Sequence, residues 1–196
     1  MGVLNALLWP FQKWNDLVLP IGRWVSIVAI ALMVLAILIQ VFFRYVLNAA
    51  LPWPDEAARF MMLWLTGLMA PIAFRQGGFV AIDMVVTALP MRVGQVVSLV
   101  LLLISAAVLA IAVQIGWSEV TGFGGRFKTA SLYVPLAVDF SEWLRVPRSW
   151  MMASLLVGVV LLLIVNIELI LRSVISLLGG GGALKPLSLD DEVMAE

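Results

Sequence analysis

Residues 44–83, RYVLNAALPWPDEAARFMMLWLTGLMAPIAFRQGGFVAID, decide the fold, because a polar turn there leads into a short apolar run and a Gly-Gly pair. The run from Phe60 to Phe74 is uncharged. As a helix it would be about 22 Å long, which is shorter than the roughly 30 Å hydrocarbon core of a bilayer. A helix that begins at Pro54 or Asp55 is long enough, since proline is favoured in a first helical turn and acidic residues suit it. Gly77 and Gly78 predict its end, since glycine readily adopts the left-handed conformation of a helix cap.

The composition outside this stretch is that of a membrane protein. Of the 196 residues, 63% are hydrophobic and 12% are charged, whereas soluble domains carry about 25% charged residues. The chain has neither Cys nor His, which excludes thiolate and imidazole metal ligands, haem ligation by His and a Ser-His-Asp triad. Twelve basic residues balance twelve acidic ones. No basic stripe indicates a nucleic-acid partner, and lipids are the expected surroundings.

Three long uncharged segments, together with the second helix that begins early, predict an all-α membrane protein with four transmembrane helices and in-plane amphipathic helices at the membrane surface. We divide the chain into an N-terminal interfacial segment, a four-helix membrane domain, and a Gly-rich break with an acidic tail. The corresponding residues are 1–22, 23–178 and 179–196, with spans at about 24–43, 55–75, 93–118 and 149–168.

Two apolar segments are too short or too polar to span. Residues 1–22 place leucines and aromatic residues at helical spacing among polar ones, which fits either a helix in the membrane surface or a loose tail. Residues 79–89 carry Asp83 and end before Pro90. We expect an interfacial or re-entrant helix there.

Carboxylate pairs are the main candidates for chemistry. Asp55 and Glu56 are adjacent at a predicted helix start, and Asp139 and Glu142 lie three residues apart near two arginines. Their positions favour helix capping and charge balance over acid–base catalysis, and no nucleophile–base set can be assembled without His or Cys. We therefore expect neither an enzyme nor a bound cofactor.

The predicted spans have no charge at mid-depth, although intramembrane charges usually mark ion or substrate paths. Glu168 and Arg172 stand four residues apart at the exit of the last span, as a supportive helical pair. These features favour a subunit that packs on a larger membrane partner. The alternatives are a stand-alone small transporter or channel, and an anchor of another membrane complex.

The order of features in residues 44–83 resembles the small membrane subunit of TRAP transporters (tripartite ATP-independent periplasmic transporters), the DctQ family. That family has an Arg-Tyr pair at the end of its first helix, then Asn, a turn with Pro, Trp, and an acidic residue that opens the second helix. An Arg, a polar residue, glycines and an apolar segment with Asp follow. The residues that carry the resemblance here are Arg44, Tyr45, Asn48, Pro52, Trp53, Glu56, Arg75, Gln76, Gly77, Gly78 and Asp83.

The resemblance implies a non-catalytic scaffold that supports a large membrane subunit, expected as a separate chain that carries the transport path. A periplasmic substrate-binding protein would deliver a solute, commonly a carboxylate, and a sodium gradient would drive its uptake. The resemblance also implies a bacterial inner-membrane protein with both termini in the cytoplasm. Counting basic residues in the loops gives no preferred orientation by itself.

The resemblance and the chemistry of the side chains together give specific expectations for contacts. Trp53 would anchor at the outer membrane interface. Asp55 and Glu56 would cap the second helix, with Arg44 or Arg59 balancing them in a local Arg–carboxylate cluster.

The loop before the last span is either a docking surface for the binding protein or a solvated connection. Its charged residues would make the docking contacts: Arg126, Lys128, Glu142 and Arg145.

Overall fold

The computed structural model describes residues 2–76, 90–135 and 143–179 of the chain. Gly77, Gly78, Asp83 and Glu142, which the sequence singled out, lie outside these residues, as does the expected helix at 79–89. The elements are helices α1 (Gly2–Tyr45), α2 (Trp53–Arg75), α3 (Met91–Thr121) and α4 (Ser149–Leu177), a short 3-10 helix (Gly124–Arg126), and strands β1 (Lys128–Pro135) and β2 (Trp143–Pro147).

All four helices are long and apolar enough to cross a membrane, which confirms the predicted fold class. The shortest, α2, has 23 residues and is therefore about 34 Å long. It begins at Trp53, so that Asp55 and Glu56 lie in its first turn and Arg75 in its last. Acidic residues at a helix N-terminus and basic residues at its C-terminus complement the helix dipole.

Helix α1 is longer than the sequence predicts. It runs without a break for 44 residues through Pro10 and Pro20, so the boundary expected at residue 22 does not coincide with a helix end. The missing proline N–H groups weaken such a helix locally. Contacts of Asn15 and Leu19 with other helices compensate, because both side chains are buried.

The chain forms two compact units, each containing parts of several helices. The first comprises Met1–Pro20, Ala70–Ile111 and Val160–Glu196. Its described part has an apolar core in which Leu19 meets Ile72, Phe74 and Val165. Two polar contacts join α3 to α4 in this unit, from the Gln95 side chain to the Ser176 hydroxyl and from the Asn166 amide to the Leu102 carbonyl.

The second unit comprises Ile21–Met69 and Ala112–Val159. In it α2 and α4 cross with their backbones in contact at Gly67 and Gly158. A Cβ atom built on Gly158 would lie 2.7 Å from the Gly67 Cα, and one built on Gly67 would lie 2.5 Å from the Ser154 carbonyl oxygen. Glycine at these positions permits the close approach that packs membrane helices.

The antiparallel hairpin of β1 and β2 also belongs to the second unit. No pattern in the sequence predicted the hairpin, which is a minor addition to a helical protein. Its register pairs Lys128 with Pro147 and Tyr133 with Arg145. Between these pairs β1 advances five residues while β2 advances two, so the ladder is interrupted. The backbone groups of β1 in this interval need partners other than β2.

The Gly67–Gly158 crossing gives a test of the fold. Gly158→Ala would place a methyl group against the Gly67 backbone, and we expect a loss of about 1–3 kcal/mol, the usual cost of overpacking. Gly22→Ala is the matched control, because its added Cβ would make ordinary contacts of 3.8 Å with Leu68. The measurement is the apparent melting temperature in detergent. Equal melting temperatures for the two variants would contradict the close crossing.

Candidate functional site

Glu56, in the first turn of α2, holds the irregular part of β1. Its carboxylate accepts hydrogen bonds from the backbone N–H groups of Ala130 and Ser131. The Ser131 hydroxyl lies 2.7 Å from the same carboxylate. These N–H groups lie in the interval where β1 departs from the ladder with β2. A side-chain carboxylate therefore replaces the missing strand partner.

Arg145, which lies in β2, binds backbone carbonyl groups in the same interval of β1. Its guanidinium donates hydrogen bonds to the backbone carbonyls of Thr129 and Ala130, and it lies 5.7 Å from the centre of the Tyr133 ring. The Thr129 hydroxyl donates to the Val146 carbonyl over 2.8 Å. We call Glu56, Arg145 and the backbone of residues 129–131 the hairpin clamp.

The hairpin clamp corrects one prediction from the sequence. Asp55 and Glu56 were expected to pair with Arg44 or Arg59, but in the described residues no ion pair joins them. Glu56 instead binds polarised peptide groups, which satisfy a carboxylate without a counter-charge. Arg44 lies 5.9 Å from the Tyr45 ring centre, and Arg59 is exposed.

The other predicted contact residues in the hairpin unit are at the surface. Trp53 is the first residue of α2 and is partly exposed, which suits an interface anchor. Arg126 and Lys128 are exposed beside the hairpin. Arg145 is only half-exposed and is engaged by the hairpin itself, whereas Arg126, Lys128 and Arg148 are the exposed cations among the described residues of this loop.

Glu168 is the centre of a second charged site, in the first unit. Its side chain is 0% exposed. The guanidinium of Arg75 binds both carboxylate oxygens, each over 3.0 Å. Arg172, one helical turn further on, binds the carboxylate over 3.0 Å, which confirms the helical pair expected from the sequence.

Helix α1 completes this second site. The Asn15 side-chain amide donates to Glu168 over 2.6 Å, and Asp16 forms an ion pair with Arg75 over 2.7 Å. We call these five residues the Glu168 network. It contains two arginines and two carboxylates, so its net charge is zero.

The sequence predicted the Glu168–Arg172 pair and singled out Arg75, but it did not indicate that Arg75 joins this pair or that Asn15 and Asp16 take part. A signal was present, because Asn15 and Asp16 interrupt an otherwise apolar helical face. What could not be read from the sequence is that this face meets the end of α2 and the C-terminal half of α4. The pairing is between residues 93 and 153 positions apart.

Neither charged site has an arrangement suited to catalysis or metal binding. The acidic groups are occupied by N–H donors, and the described residues contain no group of three His, Cys, Asp or Glu side chains placed to hold a metal ion. The arrangement can fix a hairpin to α2 and fix α1, α2 and α4 to one another within their units. Both are structural tasks.

Arg75→Ala tests the Glu168 network. It leaves the buried Glu168 with one arginine and removes the counter-charge of Asp16, and we expect a loss of about 3–5 kcal/mol, the usual cost of breaking a buried ion pair. Arg59→Ala is the control, because Arg59 is exposed on the same helix and forms no ion pair in the described residues. Thermal unfolding in detergent measures both. Similar melting temperatures for the two variants would contradict the assigned network.

The chain matches a known protein family. The family model of the DctQ component of the tripartite ATP-independent periplasmic transporters matches residues 33–175. The match covers most of the chain, including the hairpin clamp, Arg75, Glu168 and Arg172, while Asn15 and Asp16 precede it. A search of curated proteins finds no match. The chain is thus a multi-pass membrane protein of a transporter family, and it belongs to the DctQ family of small TRAP transporter subunits.

Proposed function

We propose that this chain is the small scaffold subunit of a sodium-driven TRAP transporter in the bacterial inner membrane. It supports a large permease subunit, which is a separate chain and carries the transport path. A periplasmic binding protein delivers the solute, a carboxylate-type compound. Both termini face the cytoplasm. Family membership supports the role of a transporter component.

The Glu168 network is the observation that favours a scaffold over a stand-alone transporter or channel. A transported ion or solute needs intramembrane polar groups that are free to bind it. Glu168 is buried at the end of an apolar segment, but four N–H donors from Asn15, Arg75 and Arg172 occupy its two oxygens. A carboxylate in this state braces helices and offers no open position to a passing cation.

The large exposed apolar area of the helices supports the same proposal. Along α1 and α3 most large apolar side chains are exposed. In the most apolar 18-residue stretch of α3 no residue is buried. Lipid tails cover such a surface, and so does a larger membrane subunit. A scaffold needs this kind of broad, rigid apolar flank.

Co-purification tests this role. Expressed in its native host and extracted in mild detergent, the chain should co-purify with one much larger integral membrane chain. Uptake of solute into liposomes should require both chains and the soluble binding protein. Stable homo-oligomers that transport solute alone would favour the stand-alone transporter instead.

The hairpin is the proposed contact for the binding protein. In the proposed orientation it faces the periplasm, and Arg126 and Lys128 present positive charge beside it. The hairpin clamp fixes the backbone of residues 129–131 directly after these cations. A rigid, charged surface of this kind steers and orients a docking partner.

Docking can be tested by changing the charges and the clamp separately. Arg126→Glu combined with Lys128→Glu should weaken binding of the periplasmic protein, mostly through slower association. Glu56→Lys should weaken it too, because the clamp would lose its acceptor. Asp55→Lys is the matched control: this exposed neighbour makes no ion pair in the described part of the chain. Binding by the purified complex, measured by surface plasmon resonance, should fall only for the first two variants. Unchanged binding in both would refute the docking role.

A further inference from the structure

The first part of α1 attaches to its unit through one narrow face. Leu8, Asn15 and Leu19 are buried, at a spacing that places them on one side of the helix. Trp14 and Leu17, which flank Asn15, are more than half exposed. We call residues 6–19 the strap. Its buried face carries two apolar anchors with one amide between them.

The strap adds few polar contacts to the Glu168 network. Asn15 contributes one hydrogen bond to Glu168, and its own side-chain oxygen is buried without a hydrogen-bond partner among the described residues. Asp16 pairs with Arg75, but its side chain is 49% exposed, so water competes for it. Release of the strap would expose the Asn15 side-chain oxygen and the Asp16 carboxylate to water.

The remainder of the network is complete without the strap. Arg75 and Arg172 supply three N–H donors to the Glu168 carboxylate. Glu168 therefore stays compensated when Asn15 and Asp16 leave, whereas α2 and α4 could not separate without exposing a buried ion pair. The contacts therefore divide the network into two parts. Glu168 stays joined to Arg75 and Arg172, whereas Asn15 and Asp16 are attached more weakly.

Helix α1 also has a weak point where the strap ends. Pro20 lies inside the helix and has no N–H to donate to the carbonyl of Asp16, so one helical hydrogen bond is absent there. Kinks in long helices concentrate at such prolines. The last strap anchor, Leu19, immediately precedes it.

We propose that the strap is a releasable segment, hinged at Pro20 and latched by Asn15 and Asp16 onto the Glu168–Arg75 pair. The docked strap packs its own Leu19 against the apolar core residues Ile72, Phe74 and Val165. The released strap uncovers them while α2 and α4 stay joined. The proposal stands on the geometry of this unit and is independent of the transporter role. The strap precedes the range matched by the family model.

Thiol labelling can test the strap, because the natural chain contains no cysteine. In detergent, Leu19→Cys reports on the docked face and Lys13→Cys is the exposed reference on the same segment. Ser154→Cys, buried in the other unit, reports on unfolding beyond the strap. With N-ethylmaleimide we expect the Leu19 thiol to react at least about tenfold more slowly than the Lys13 thiol, as local protection predicts.

The contacts of Asn15 and Asp16 with the Glu168–Arg75 pair, which we call the latch, are then removed by Asn15→Leu together with Asp16→Ala. Leu19→Cys labelling should rise to within about threefold of the Lys13→Cys rate, as expected for local opening, with Ser154→Cys still protected. Asp55→Ala, which removes an exposed carboxylate outside the network, should leave all three rates unchanged. Three results would overturn the proposal: fast labelling of Leu19→Cys in the intact latch, continued protection of Leu19→Cys after the latch is broken, or equal rises at Leu19→Cys and Ser154→Cys.

Discussion

The burial of the Glu168 carboxylate constrains the helices around it, because a buried charge needs partners in fixed positions. An isolated ionised carboxylate in an apolar interior is very costly, so it must be paired and hydrogen-bonded. Arg172 is one turn away on α4, but Arg75 comes from the end of α2 and Asn15 from α1. Satisfying one buried charge therefore joins α2 to α4 within that unit and attaches α1 through the lighter contact of Asn15.

The hairpin unit solves a related problem with the roles reversed. There the groups in need of partners are backbone N–H and C=O groups of residues 129–131, left over where β1 and β2 fall out of register. Glu56 takes the donors and Arg145 takes the acceptors. Each charge is spread over peptide dipoles, so the two side chains need no direct ion pair. The irregular strand and the charged clamp are consequences of each other.

Local signals in the sequence were enough to predict the fold class and the limits of α2. The uncharged run from Phe60 to Phe74 is too short to span a membrane, so α2 had to begin earlier. Asp55 and Glu56 suit its first turn and indicated where it begins. The i,i+4 pair of Glu168 and Arg172 was also local. Each of these depends on residues within about one helix, where spacing alone decides which side chains meet.

The partners that the sequence did not reveal are distant in the chain. Two arginines lie near Glu56 in the sequence, and pairing with them was expected. Nothing local indicated that Glu56 would instead bind backbone N–H groups 74 and 75 residues away. Likewise the mixed apolar and polar pattern of residues 1–22 left a surface helix and a loose tail as alternatives, whereas Asn15 and Leu19 are buried against other helices and α1 is continuous. At both places tertiary contacts decide what the local pattern could not.

The two charged sites differ in a way that bears on what the protein does. At the hairpin, the clamp secures the backbone and leaves Arg126 and Lys128 exposed for a partner. At Glu168 the charges are buried and cancel, so the site offers a partner no net field. A carboxylate whose two oxygens are occupied by N–H donors has no open position for a moving ion. The buried Glu168 network thus serves rigidity, the exposed cations near the hairpin form the surface proposed for recognition, and this division fits the proposed role of a scaffold subunit.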